Sequence, residues 1–126
     1  MSGRYEGTAA YIHVLAELVR AAEYGGVTTY QDIAVIMGLP TWGSHMGRKT
    51  GEILGEISTN EVAAGRPMLS VIVVDTKGNV GSGFFALARE LGRLSDDKDE
   101  LEFVEEERQA VYAAWKRPIL KRDYDK

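Results

Sequence analysis

The stretch Thr41 to Thr50 brings together His45, Arg48 and Lys49 without a single acidic residue, with Trp42 and Ser44 beside them. At the start of a helix these cations would reach phosphates, helped by the positive helix N-terminus. Trp42 can stack on a base or pack beneath the cations. The plainer alternative is a solvated helix surface, and no bidentate Arg, Asn or Gln set marks base-specific readout. Within the same segment Gly47, Gly51 and Gly55 recur every fourth residue, on one helix face. Each costs about 1 kcal/mol of helix stability relative to alanine. The expected compensation is close packing against an internal helix, with a DNA backbone or a protein interface as the alternatives. Gly78, Gly81 and Gly83 hint at an anion-binding nest. Their spacing fits neither the Walker A loop nor the dinucleotide fingerprint, so hairpin glycines are the simpler expectation.

Other chemistries lack their residues. The chain has no cysteine, which removes disulfides and thiolate metal sites, and only two histidines, His13 and His45. No acidic residues are grouped with them at metal-ligand spacing. His13 has no serine or aspartate partner in view, and no carboxylate pair is placed for general acid–base work. The sequence therefore predicts no catalytic residue, no metal and no cofactor.

The elements that hold these residues can be read from periodicity and caps. Thr8 to Tyr24 predicts an amphipathic helix with Tyr11, Leu15, Leu18 and Ala22 inward and Ile12 and Val19 widening the stripe, ended by Gly25-Gly26. Thr29 is the expected N-cap of a short helix, Tyr30 to Met37, with Asp32 in the capping-box position and Ile33, Ala34 and Met37 inward. Gly38-Leu39-Pro40 stops it, and a third helix is expected from near Ser44 to Ile57, burying Met46, Ile53, Leu54 and Ile57. The valine- and isoleucine-rich run Met68 to Asp75 predicts a strand, Lys77-Gly78-Asn79 a turn, and Val80 the start of a return strand. A helix over Phe84 to Leu94 follows. The last helix begins near Asp96 or Lys98, with Leu101, Val104, Val111 and Trp115 inward, and the basic tail Lys116 to Lys126 is expected to fray. The sum is an α+β, mainly helical single domain over residues 1–126. Its expected form is a winged helix-turn-helix with a small β-hairpin wing and extra C-terminal helices.

With 126 residues, the chain is long enough for one real core. Its net charge of −4 is unevenly spread: Asp96 to Glu107 holds eight acids against one lysine, so the remainder carries +3. A weakly basic body with one acidic helix is compatible with nucleic acid. The longest apolar run, Met68 to Val74, is far short of the roughly 20 residues that cross a bilayer. Met1 to Gly7 is polar with no apolar segment behind it, so a cytoplasmic protein without membrane contact is expected.

The segment Gly26-Val27-Thr28-Thr29-Tyr30-Gln31-Asp32-Ile33-Ala34, followed by Met37-Gly38, Pro40 and Met46-Gly47, resembles the opening of the DNA-binding domain of alkylguanine-DNA alkyltransferases and alkyltransferase-like proteins. That family shows Val-x-x-Tyr-Gly-Asp-(Leu/Ile)-Ala there. Its Pro-Cys-His-Arg-Val-Val segment falls on Leu69-Ser70-Val71-Ile72-Val73-Val74, and its Gly-x-Leu-Gly on Gly78 to Gly81. The resemblance spans about residues 26–94 and implies a winged helix that binds duplex DNA, with Tyr30 contacting a phosphate. It does not carry the activity. Ser70 stands where the reactive cysteine would be, and the flanking proline, histidine and arginine are absent, so alkyl transfer is impossible. The family's arginine finger falls on Ser44, and the Thr59 to Gly65 segment is longer than its counterpart. The leading expectation is a non-catalytic nucleic-acid-binding protein using Tyr30, Trp42, Ser44, His45, Arg48 and Lys49. The alternative is a protein-interaction module of immunity, antirestriction or adaptor type, meeting its partner through the Gly47/Gly51/Gly55 face or the Asp96 to Glu107 helix.

Overall fold

The computed structural model describes residues 4–117. It is mainly helical: α1 (Ala9–Glu23), β1 (Thr28–Thr29), α2 (Tyr30–Met37), α3 (Gly43–Ala63), a 3-10 turn (Leu69–Ile72), β2 (Val73–Val74), α4 (Phe84–Glu90) and α5 (Glu100–Trp115). No described helix is long and apolar enough to cross a membrane.

Local signals set the helix ends. Thr8 Oγ1 accepts the Tyr11 N–H at 3.2 Å, and Thr29 Oγ1 accepts the Asp32 N–H at 3.1 Å. Gly38 closes α2 in the left-handed conformation, φ 74°, which glycine adopts without a Cβ penalty. Thr29 also belongs to β1, so its cap fixes the strand-to-helix corner. Thr29→Ala is expected to lower stability by about 1 kcal/mol, with Thr29→Ser retaining most of it, read from the midpoint of urea unfolding.

The core lies where α1, α2, α3, α5 and the 3-10 turn meet, around Val14, Leu18, Ile33, Ile53, Ile57, Leu69, Ile72 and Val111. On α1 the buried stripe is Tyr11, Val14, Leu18, Ala21 and Ala22, while Ile12 is exposed. The expected face is thus rotated toward Val14. Likewise on α5, Phe103 and Val104 go inward and Leu101 is 77% exposed. Two residues of a 3.6-residue period decide such a rotation, and the neighbour that receives the helix selects it. In α2, Ile33 and Ala34 are buried and Met37 half-buried.

The expected strand at Met68 to Asp75 is largely replaced. Leu69–Ile72 winds into a 3-10 turn, and only Val73–Val74 is extended, pairing in parallel with β1 as Thr28↔Val73 and Thr29↔Val74. Val80 forms no return strand, so the expected antiparallel hairpin is absent among the described residues. Side chains take the place of a ladder here. Glu107 accepts the Met68 N–H at 2.9 Å, Ser58 Oγ accepts the Ser70 N–H at 3.1 Å, and Arg108 Nε donates to the Val71 carbonyl at 3.0 Å. A buried backbone satisfied in this way needs no neighbouring strand. Helix α3 also runs on through Ala63, absorbing most of the Thr59 to Gly65 segment that was expected as a connection. The expected basic tail lies outside the described residues from position 118 onward.

Candidate functional site

Helix α3 divides the residues singled out from sequence into two groups. On its first turns Trp42, Ser44, His45 and Arg48 are all exposed, Trp42 by 74%. Among the described residues no side chain caps α3, so its first backbone N–H groups lack a side-chain acceptor there. Arg48 Nη2 lies 3.2 Å from His45 Nδ1. Lys49 is half-buried and loosely paired, its Nζ 3.8 Å from Glu52 Oε1. The exposed cation of the group is therefore Arg48.

Tyr30 and Ser70 belong instead to a cavity of about 550 Å³ behind this surface. Its walls are the glycine face of α3, the 80–83 loop and the start of α4, with Leu54, Phe84 and Leu87 as apolar lining. The glycine face meets another helix, as expected, only at Gly55, beside Leu87 of α4. A Cβ at Gly47 or Gly51 would meet nothing within 4 Å, and one at Gly55 would lie 3.7 Å from Leu87 Cδ2. Gly47 and Gly51 leave space on the cavity side of α3.

Gly81 does the opposite. A Cβ there would fall on the Tyr30 hydroxyl and lie 2.8 Å from Tyr30 Cζ. The loop thus closes down on the tyrosine ring. Burial raises the pKa of Tyr30, opposed by the Gly81 backbone N–H, so the hydroxyl stays protonated. Of the other loop glycines, Gly78 sits in a tight turn at φ 84°. That turn is fastened by Asp75 Oδ1, which accepts the Lys77 and Asn79 N–H groups at 2.8 and 3.0 Å. These bonds, Asn79 first, hold the Asp75 carboxyl below its usual range.

Ser70, 7% exposed, is bonded to a residue the sequence reading missed. Ser58 Oγ donates to Ser70 Oγ at 2.7 Å, while accepting the Ser70 N–H. Among the described residues no histidine, lysine or carboxylate hydrogen-bonds to either hydroxyl, so nothing there activates a nucleophile. Ser58 sits one turn beyond Leu54 on the buried side of α3. That periodicity was its only sequence signal. Glu52, also on the cavity wall, is tied through Oε1 to the Tyr5 hydroxyl at 2.8 Å and to Arg4 at 3.2 Å. The tyrosine hydrogen bond leads the interactions that lower its pKa.

The acidic stretch is largely matched from within the chain. Glu107 is bidentate to Arg93 at 2.7 and 3.0 Å. Lys98 reaches Glu102 and Glu106, both at 2.9 Å, and Arg89 reaches Asp96 and Glu100. Exposed His13 lies apart, by a separate concavity with Glu17 and Arg20. No cluster of three His, Cys, Asp or Glu side chains suited to a metal ion occurs among the described residues.

No family model matches this chain, and neither a curated protein nor a solved structure matches it.

Proposed function

We propose that this chain is a non-catalytic nucleic-acid-binding protein. In this reading α2 and α3 act as the helix-turn-helix of a winged-helix-like domain, the Asp75 to Gly83 loop stands in for the wing, and duplex phosphates meet the first turns of α3. The observation that carries it is the exposed surface of Trp42, Ser44, His45 and Arg48 at a helix N-terminus whose N-cap residue makes no side-chain hydrogen bond. Phosphate binding needs that combination of outward N–H groups and cations. The resemblance to alkyltransferase-like proteins supports the same assignment, with Tyr30 a cavity-wall residue and Ser70 the counterpart of the lost cysteine. The setting proposed is the cytoplasm.

The test is fluorescence anisotropy with a labelled duplex, a single strand and an O-alkylguanine duplex across a salt series. The native chain is expected to prefer duplex and to weaken steeply with salt. Arg48→Ala with Lys49→Ala is expected to lower affinity and to reduce the slope of log affinity against log salt by roughly 1, the phosphate contact of exposed Arg48, since Lys49 is half-buried against Glu52. Unchanged affinity and slope in the double variant would remove this reading.

A protein-interaction module is the alternative, and one observation favours it. Leu101 stands 77% exposed among the acids of α5, where it contributes nothing to the core. A basic, apolar-anchored partner surface would suit that patch. Stable capture of a protein partner free of nucleic acid, lost in Leu101→Asp, would support this second reading.

A further inference from the structure

The chain before α1 is fastened to α3 by two carboxylates four residues apart, Glu52 and Glu56. Glu56 accepts the Tyr5 N–H at 2.8 Å on one oxygen and the Glu6 N–H at 2.6 Å on the other. The Thr8 hydroxyl donates to the Tyr5 carbonyl at 2.6 Å while it caps α1, so the backbone of this strap is fixed at both ends. The Tyr5 side chain is thereby aimed at Glu52. Its hydroxyl donates to Oε1 at 2.8 Å, and Arg4 Nη1 donates to the same oxygen at 3.2 Å. Tyr5 is half-buried and packs against the core. Burial first, and the Glu52 bond second, raise its pKa, so the hydroxyl stays a donor.

Glu52 also stands four residues after Arg48, the helical spacing at which opposite charges pair. That pair is not formed among the described residues. Arg48 Nη2 lies 3.2 Å from His45 Nδ1, and the α3 cation that reaches Glu52 is Lys49, at 3.8 Å. An arginine paired within its own helix must give up that partner before it can hold a phosphate. We propose that Arg4 and Tyr5 are positioning residues of the nucleic-acid surface: by occupying Glu52 they keep it off Arg48 and leave that guanidinium open to a phosphate. The phosphate half of this inference rests on the nucleic-acid reading, while the competition for Glu52 is measurable without nucleic acid.

The test removes both strap donors with Arg4→Ala plus Tyr5→Phe, which keeps the ring and the backbone bonds to Glu56. The Glu52 carboxyl is first titrated by carbon NMR at low salt, with no nucleic acid present. In the native strap, Arg48→Ala is expected to leave the Glu52 pKa nearly unchanged. In the strap variant, the same substitution is expected to raise it by roughly 0.3, the size of an exposed helical ion pair. Affinity for a labelled duplex is then expected to fall roughly twofold in the strap variant. In a Glu52→Gln background the strap change is expected to cost nothing, since glutamine cannot hold Arg48 as an ion pair. Tyr5→Phe alone replaces the double change if the latter loses the native amide spectrum. The proposal is overturned if Arg48→Ala moves the Glu52 pKa equally with and without the strap donors. It is also overturned if affinity falls equally with Glu52 or Gln at position 52, which would mean a direct contact of Arg4 or a general loosening. A native chain that binds no duplex would sink the nucleic-acid reading and the phosphate role with it, whereas a failed carboxyl titration would sink the strap's role alone.

Discussion

Replacing Glu107 with alanine is expected to destabilise the fold by about 3–5 kcal/mol, the usual cost of leaving a buried ionic group without its partner. Glu107 is 4% exposed and serves two elements at once. Its oxygens hold the Arg93 guanidinium at 2.7 and 3.0 Å, and Oε2 also accepts the Met68 N–H at 2.9 Å. Truncation orphans a buried backbone donor and strands a charge, although the Arg93 side chain, 35% exposed, can turn partly toward water. The lower end of the range is therefore expected. Glu107→Gln keeps an oxygen for Met68 and loses the charge, so it should cost less. Urea unfolding of both variants checks the order. Equal stability of Glu107→Ala and the native chain would show that Glu107 does not anchor the 3-10 turn. Because Met68 leads directly into Ser70, the alanine variant is also expected to disturb the cavity floor.

The second large effect lies across the cavity. Gly81→Ala is expected to cost about 1–3 kcal/mol, as overpacking of a close contact does, because the new methyl group falls on the Tyr30 hydroxyl. Backbone conformation is not the cause, since Gly81 is not among the positive-φ glycines. The cost should therefore vanish when the ring is removed. In a Tyr30→Ala background, Gly81→Ala is expected to be nearly neutral, and a double-mutant cycle reads the coupling directly. A full penalty in both backgrounds would place the constraint on the loop itself.

These two residues show where a linear reading stops. Tyr30 is visible in sequence as the first residue after a threonine cap, and Ser70 as the polar residue in an apolar run. Nothing local says that Gly81 touches the first, or that Ser58 bonds the second. Those pairs are separated by long stretches of chain, and only the packing of α3 against the 3-10 turn and the loop brings them together.

The glycine face makes the same point. Three glycines on one helix side imply that something lies close or that space is required, and helix periodicity cannot distinguish the two. Internal packing was the expected answer. The structure gives open volume at Gly47 and Gly51 and ordinary contact with Leu87 only at Gly55.

What the sequence by itself determined is the set of features governed by residues a few positions apart. The starts of α1 and α2 follow from Thr8 and Thr29, the end of α2 from Gly38, and the exposed cationic turn from an acid-free stretch. Caps and turns are closed by hydrogen bonds within three or four residues, so their partners are always present. What only the tertiary structure decided is the conformation of residues 68–74, the rotation of α1 and α5, and the character of the cavity. An apolar run that could form a strand becomes a 3-10 turn because Glu107, 39 residues from Met68 in sequence, satisfies its first N–H. Ser58 and Arg108 satisfy other backbone groups. Buried backbone must find partners, and when these arrive from distant helices the local preference for an extended strand yields to them.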